Sequence, residues 1–140
     1  MSDARPAKPL PSLTGGNGEF YRRLAATREL AFQSCGECGR MQHPPRLTCC
    51  HCGSAAFHYA PVAPRGRVYT WTVTHQALVQ SFAPEVPYAA VVTELECGVR
   101  IVTGIRGMTP DMLSLDLAVE VVLEEVADGV VLPYVRPARS

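Results

Sequence analysis

The residues most able to do chemistry are six cysteines, five of which fall in Cys35-Gly36-Glu37-Cys38 and Cys49-Cys50-His51-Cys52, whose end residues make two C-x2-C pairs with ten residues between them. A C-x2-C turn aims two thiolates at one ion, the glycine after each pair (Gly39, Gly53) lets the backbone turn tightly, and two such knuckles complete a tetrahedron. Four soft ligands with no open position point to a structural Zn2+ on Cys35, Cys38, Cys49 and Cys52 rather than a catalytic metal. An iron centre or a redox dithiol would accept the same four cysteines. Cys50 and His51 lie beside the ligands and could replace Cys49 or Cys52, although both read more simply as spectators. Such a site carries about −2 charge and stabilises a segment with few apolar residues of its own, so metal removal should unfold it.

The rest of the polar inventory offers no catalytic constellation. Of the four histidines, His43, His51 and His58 fall in or near the cysteine module, and His75 ends a strand-like run with no carboxylate spaced to form a dyad. Cys97 falls in a turn signal, Glu96-Cys97-Gly98, with nothing nearby to lower its pKa. No G-x-S-x-G, Walker or G-x-G-x-x-G sequence occurs. Arg65, Arg67, Arg100 and Arg106 are candidate ligand-binding residues, since guanidinium groups grip phosphate bidentately; the alternative is solvated charge paired with Glu94 and Glu96. Tyr69 and Trp71 could stack on a base, but alternating strand positions more often serve a core or an interface.

Composition narrows the function classes. The 140 residues are 47% hydrophobic and only 19% charged, enough apolar material for a core and an additional interface. Thirteen basic residues balance thirteen acidic ones, and Lys8 is the only lysine, which is not the footprint of a nucleic-acid binder. Neither a signal peptide nor an apolar run of about 20 residues is present, so no membrane is expected and a cytoplasmic location is. In that reducing compartment clustered cysteines bind metal more often than they form disulfides.

Patterning gives a mainly β chain in four parts. Residues 1–18, with Pro6, Pro9, Pro11 and Gly15-Gly16-Asn17-Gly18, read as a flexible arm; 19–31, with Phe20, Leu24 and Leu30, as an amphipathic helix; 32–60 as the zinc module; and 61–140 as a β domain. Strands are predicted over 67–75, 88–95, 99–105, 119–126 and 130–135, with turns at Cys97-Gly98 and Asp128-Gly129 and a helical turn near 110–113. In the first, alternation places Tyr69, Trp71 and Val73 on one face and Val68, Thr70 and Thr72 on the other. Five strands suit a small closed barrel of the OB type.

Phe32-x-x-Cys35-x-x-Cys38-Gly39, Pro44-Pro45-Arg46, Cys49-x-x-Cys52-Gly53-Ser54 and Gly66-x-Val68-Tyr69-Thr70-Trp71-Thr72 together resemble the family first described as domain of unknown function 35 (DUF35). The similarity continues through Pro87-Tyr88, Glu94-Leu95-x-x-Gly98-Val99-Arg100 and Asp128-Gly129-x-x-Leu132-Pro133, covering 19–137. The resemblance implies an N-terminal helix, a rubredoxin-like zinc ribbon and an OB-fold, in that order. It also implies a non-catalytic companion of a thiolase, acyltransferase or hydratase that acts on acyl-CoA. Within the family, the sequence resembles the small thiolase subunit of the benzylsuccinyl-CoA pathway. The catalytic residues would then reside on a thiolase-like partner, in an assembly of two plus two subunits, with coenzyme A bound at the complex. One departure stands out: Asp116-Leu117-Ala118 occupies the place of the family's usual Gly-Met-Pro. The competing function, a single-stranded nucleic-acid module, draws on the same two folds but has charge balance and a single Trp against it.

Overall fold

A computed structural model describes residues 7–139. The chain runs α1 (Gly15–Thr27), β1 (Ala31–Cys35), β2 (Met41–Gln42), β3 (Phe57–Pro61), β4 (Arg65–Thr74), β5 (Tyr88–Leu95), β6 (Arg100–Ile105), β7 (Ala118–Ala127) and β8 (Val130–Pro137), with 3-10 turns at Gln80–Glu85 and Pro110–Met112. The first three strands form a small sheet in the order β2-β1-β3; the other five close a barrel, β4-β5-β6-β8-β7. Closure depends on one parallel pair, Gly104 opposite Tyr134 and Ile105 opposite Val135, while every other ladder is antiparallel.

Helix α1 starts at Gly15, four residues before the expected position, and ends at Thr27. The glycine run read as punctuation lies inside it. Gly18 makes this start fit: a Cβ there would lie 2.4 Å from the Leu13 backbone, so only glycine lets the incoming chain cross the helix so closely. Arg22 donates to the Leu13 carbonyl, and Lys8 pairs with Glu85, so residues before the helix are tied to the body. The arm expected over 1–18 thus lies partly outside the described residues and is partly helix. Arg28 ends the helix in the left-handed conformation, φ 57°, its amide donating to the Leu24 carbonyl at 2.9 Å. Phe20 and Leu24 point into the protein, where they join Leu30, Phe32 and the barrel's apolar residues in one core.

Strand β4 departs from simple alternation. Val68 pairs with Thr93 but Thr70 pairs with Val92, so Tyr69 is an extra residue, a β-bulge. The bulge puts Val68 on the core side together with Trp71 and Val73, and leaves Tyr69 outside with Thr70 and Thr72; the uninterrupted alternation expected from sequence is corrected accordingly. At the departure from the family pattern, Asp116 adopts φ 62°. An aspartate there meets the backbone demand that glycine meets elsewhere, because its short polar side chain tolerates the left-handed region. The turn is fixed to β4 by Asp116 N–H to the Val68 carbonyl (2.9 Å) and Val68 N–H to the Leu117 carbonyl (3.0 Å).

Candidate metal centre

Two turns of the same geometry bring the thiols together. In the first, Cys35 N–H donates to the Arg40 carbonyl (2.8 Å) and Gly39 N–H to the Cys35 carbonyl (3.0 Å); in the second, Cys49 N–H donates to the Ser54 carbonyl (2.8 Å) and Gly53 N–H to the Cys49 carbonyl (2.9 Å). Gly39 and Gly53 take φ 77° and 79°, the left-handed conformation that the turns require. The result is four Sγ atoms within 4.8 Å of one another, from Cys35, Cys38, Cys49 and Cys52, with neither Cys50 nor His51 among them. Cys35 and Cys52 lie 3.5 Å apart and Cys38 and Cys49 3.6 Å. A tetrahedral ion with Zn–S bonds of about 2.3 Å requires S···S separations of about 3.8 Å, so the donor set fits zinc. Bound there, the ion would act as a cross-link.

The backbone prepares the thiolates. The Cys38 amide, followed by the Glu37 amide, lowers the Cys35 thiol to about 6 against the opposing effect of burial. In the second turn the Cys52 amide, then the His51 amide, lower Cys49. For Cys52 the Ser54 amide also lowers, but the Cys35 thiol, burial and the other thiols outweigh it and push the group up to about 12. Four thiols this close cannot all ionise without a cation among them.

Sequence reading missed what holds the second turn. Gln33 and Gln42 are 7% and 8% exposed and bonded to each other, Gln42 Nε2 to Gln33 Oε1 at 2.7 Å. Gln33 also accepts from the Arg46 amide (3.0 Å) and donates to the Arg46 carbonyl (2.9 Å), while Gln42 accepts from the Cys50 amide (3.1 Å). Two side chains thereby supply partners that regular structure does not give the 43–50 loop. A glutamine in a short strand carries no signal for this role. His43 packs against the rings of both Phe20 (4.5 Å) and Phe32 (5.2 Å), and burial lowers it from 6.5 to about 4.

The candidate arginines do not converge. Arg65 and Arg67 line an open cleft of about 370 Å³ together with Glu94, Glu96 and Asp116. Arg65 reaches Glu96 at 3.8 Å, and Arg67 donates to the Asp116 carbonyl at 3.2 Å. Arg100 borders the cleft through Tyr69, lying 3.8 Å from its ring and 2.9 Å from Glu94. Arg106 closes the other end of β6, about 20 Å away by strand rise, stacked on Tyr134 and paired with Glu124 at 2.8 Å. His75 and Cys97 are both exposed, and neither side chain makes a hydrogen bond among the described residues. No described helix is long and apolar enough to cross a membrane.

The two halves match two domain descriptions: residues 22–58 the rubredoxin-like zinc ribbon domain of ChsH2, and 59–124 the C-terminal OB-fold domain of ChsH2. The solved structure of an Ltp2-ChsH2(DUF35) aldolase contains a chain that is 32% identical; the alignment covers 92% of this chain and all of that one, with a TM-score of 0.81. A DUF35 protein of unknown function from Sulfolobus solfataricus shares the fold at 15% identity and a TM-score of 0.59, over 89% of this chain and 87% of that one. The chain belongs to the ChsH2/DUF35 family. A probable enoyl-CoA hydratase alpha subunit from Thermomonospora curvata is 34% identical over 131 residues, 94% of this chain but only 40% of that protein.

Proposed function

We propose that this chain is a non-catalytic subunit of an acyl-CoA-processing complex whose catalytic chain is thiolase-like, with a zinc ribbon whose metal is structural. The observation that carries the reading is the full-length match, at 32% identity, to the DUF35 chain of a solved two-protein aldolase. The relative named as a hydratase subunit adds the acyl-CoA theme, and its further length leaves room for a catalytic region that this chain does not span. A closed four-thiolate site and the isolated positions of His75 and Cys97 fit a chain that leaves the chemistry to its partner.

In this reading the assembly is a cytoplasmic two-plus-two hetero-oligomer, and the acyl-CoA phosphates meet this chain at Arg65 and Arg67, whose present partners are one long ion pair and one backbone carbonyl. Arg100 and Arg106, each held by a carboxylate and a ring, keep structural roles. Co-expression with a thiolase-like chain of the same organism, followed by size-exclusion with light scattering, tests the assembly: a stable complex is expected, and separate elution of the two chains would overturn it. Replacing both Arg65 and Arg67 by Ala is expected to raise the KM of the complex for acyl-CoA without dissociating it.

A further inference from the structure

Tyr69 is exposed for a structural reason. On an uninterrupted β4 it would share the core side with Trp71; the bulge between Val68 and Thr70 turns it outward instead. A bulge interrupts the β4-β5 ladder, and such interruptions are frequent where a side chain is re-aimed toward a site. Tyr69 is aimed at the open cleft of about 370 Å³, which Arg65, Arg67, Glu96 and Asp116 also line. That volume falls at the lower end of the range for small-molecule sites. One face of the ring carries the Arg100 guanidinium, 3.8 Å from the centroid and itself fixed by Glu94 at 2.9 Å. Tyr69 nevertheless stays 49% exposed. A ring backed by a fixed cation and half exposed on a cleft is a preorganised stacking platform. The charges beside it are unevenly committed. Among the described residues, Glu94 is engaged by Arg100 and Glu96 faces Arg65 at 3.8 Å, whereas Arg67 donates to the Asp116 carbonyl and has no carboxylate within ion-pair reach. An aromatic face and an uncommitted guanidinium, two residues apart on β4, therefore border one cleft.

We infer that Tyr69 is the platform for the adenine ring of coenzyme A, with Arg67 meeting the phosphates beside it. The inference rests on the acyl-CoA reading above and fixes which half of the ligand this chain holds: the nucleotide. A purine offers a flat π-face and its phosphates accept from a guanidinium in pairs, and the cleft supplies a partner for each. The thioester end needs a nucleophile with a base beside it, and no cysteine, histidine or serine borders the cleft. The acyl group therefore points away from this chain, toward the catalytic subunit. A single-stranded nucleic acid would need a succession of such platforms, whereas the neighbouring aromatic of β4, Trp71, is packed against the core.

The test is titration calorimetry of the zinc-loaded chain in complex with its thiolase-like subunit, using three probes: coenzyme A, adenosine 3′,5′-bisphosphate and pantetheine. Wild type is compared with Tyr69→Ala, Tyr69→Leu and Tyr69→Phe; co-elution, thermal melts and zinc content verify assembly and folding, and Tyr69→Leu keeps an apolar body at the bulge should Tyr69→Ala not fold. Loss of the ring is expected to weaken coenzyme A and the bisphosphate at least fivefold, as base stacking on an aromatic side chain requires. Pantetheine affinity is expected to change less than twofold, and Tyr69→Phe to restore coenzyme A to within twofold of wild type. If wild type forms no complex, the companion-subunit reading fails and the inference with it. If the complex forms and the ring-deleted variants bind coenzyme A as wild type does, the platform alone is overturned. It is likewise overturned if those variants weaken coenzyme A and pantetheine equally, which marks a structural role. The same holds if they abolish binding of a single-stranded oligonucleotide while coenzyme A binds unchanged.

Discussion

The ribbon and the barrel are stabilised by different means. In the barrel, Val68, Val91, Val119, Val131 and Val135 are almost fully buried, and branched side chains supply the driving force. In the ribbon, Phe32 is the single large buried hydrophobic, and the other buried residues are two metal-ligand cysteines, Pro45 and the polar Gln33, Ser34 and Gln42. The metal and a hydrogen-bond network replace the apolar area that so short a segment cannot bury. Perturbations should therefore act selectively on one region or the other.

The largest effect should come from the metal. Structural zinc sites contribute on the order of 10–16 kcal/mol of apparent binding energy, comparable to the whole stability of a domain. Chelation or Cys49→Ser should thus abolish amide-exchange protection across β1, β2 and β3 while β5 and β8 keep theirs. Equal loss in both regions would break the comparison. Next is Phe32→Ala at the joint, where α1 meets the ribbon; a fully buried ring stacked on Phe20 at 5.9 Å should cost about 3–5 kcal/mol in denaturant unfolding.

Gln42→Ala should cost about 1–3 kcal/mol, because it removes a buried side chain that bonds Gln33 Oε1, the Thr48 carbonyl and the Cys50 amide. Zinc transfer to a chromophoric chelator should accelerate in the same variant, and an unchanged rate would show that the network does not support the metal. The smallest effect concerns pH. His43 is lowered from 6.5 to about 4, so between those values the unfolded chain holds a proton that the folded chain does not. Stability should therefore fall as pH drops from 6.5 toward 4, by about 1–2 kcal/mol once partial solvent access is allowed for. A zinc-loaded His43→Phe variant should lose that part of the slope.

The parts of the architecture legible in the sequence were those written in local pattern. Paired cysteines with a following glycine define a knuckle wherever they occur, and short β-branched runs between Gly and Asp-Gly turns define the barrel strands. Features set by distant partners stayed hidden. Nothing near Tyr69 announces a bulge, because the extra residue is defined only against Thr93 and Val92 on another strand. Gly18 reads as a breaker until Leu13 is seen crossing it, and nothing marks the two glutamines until the 43–50 loop folds over them. Likewise, the arginines could be nominated from charge and chemistry, but their separation along β6 is a property of the barrel.

The most direct test of the account is a cleavage assay on a CoA ester with three samples: the zinc-loaded chain alone, the thiolase-like subunit alone, and the two together. The account predicts no turnover by this chain alone and full activity only when both are present. Turnover by this chain alone, abolished by His75→Ala or Cys97→Ser, would contradict it.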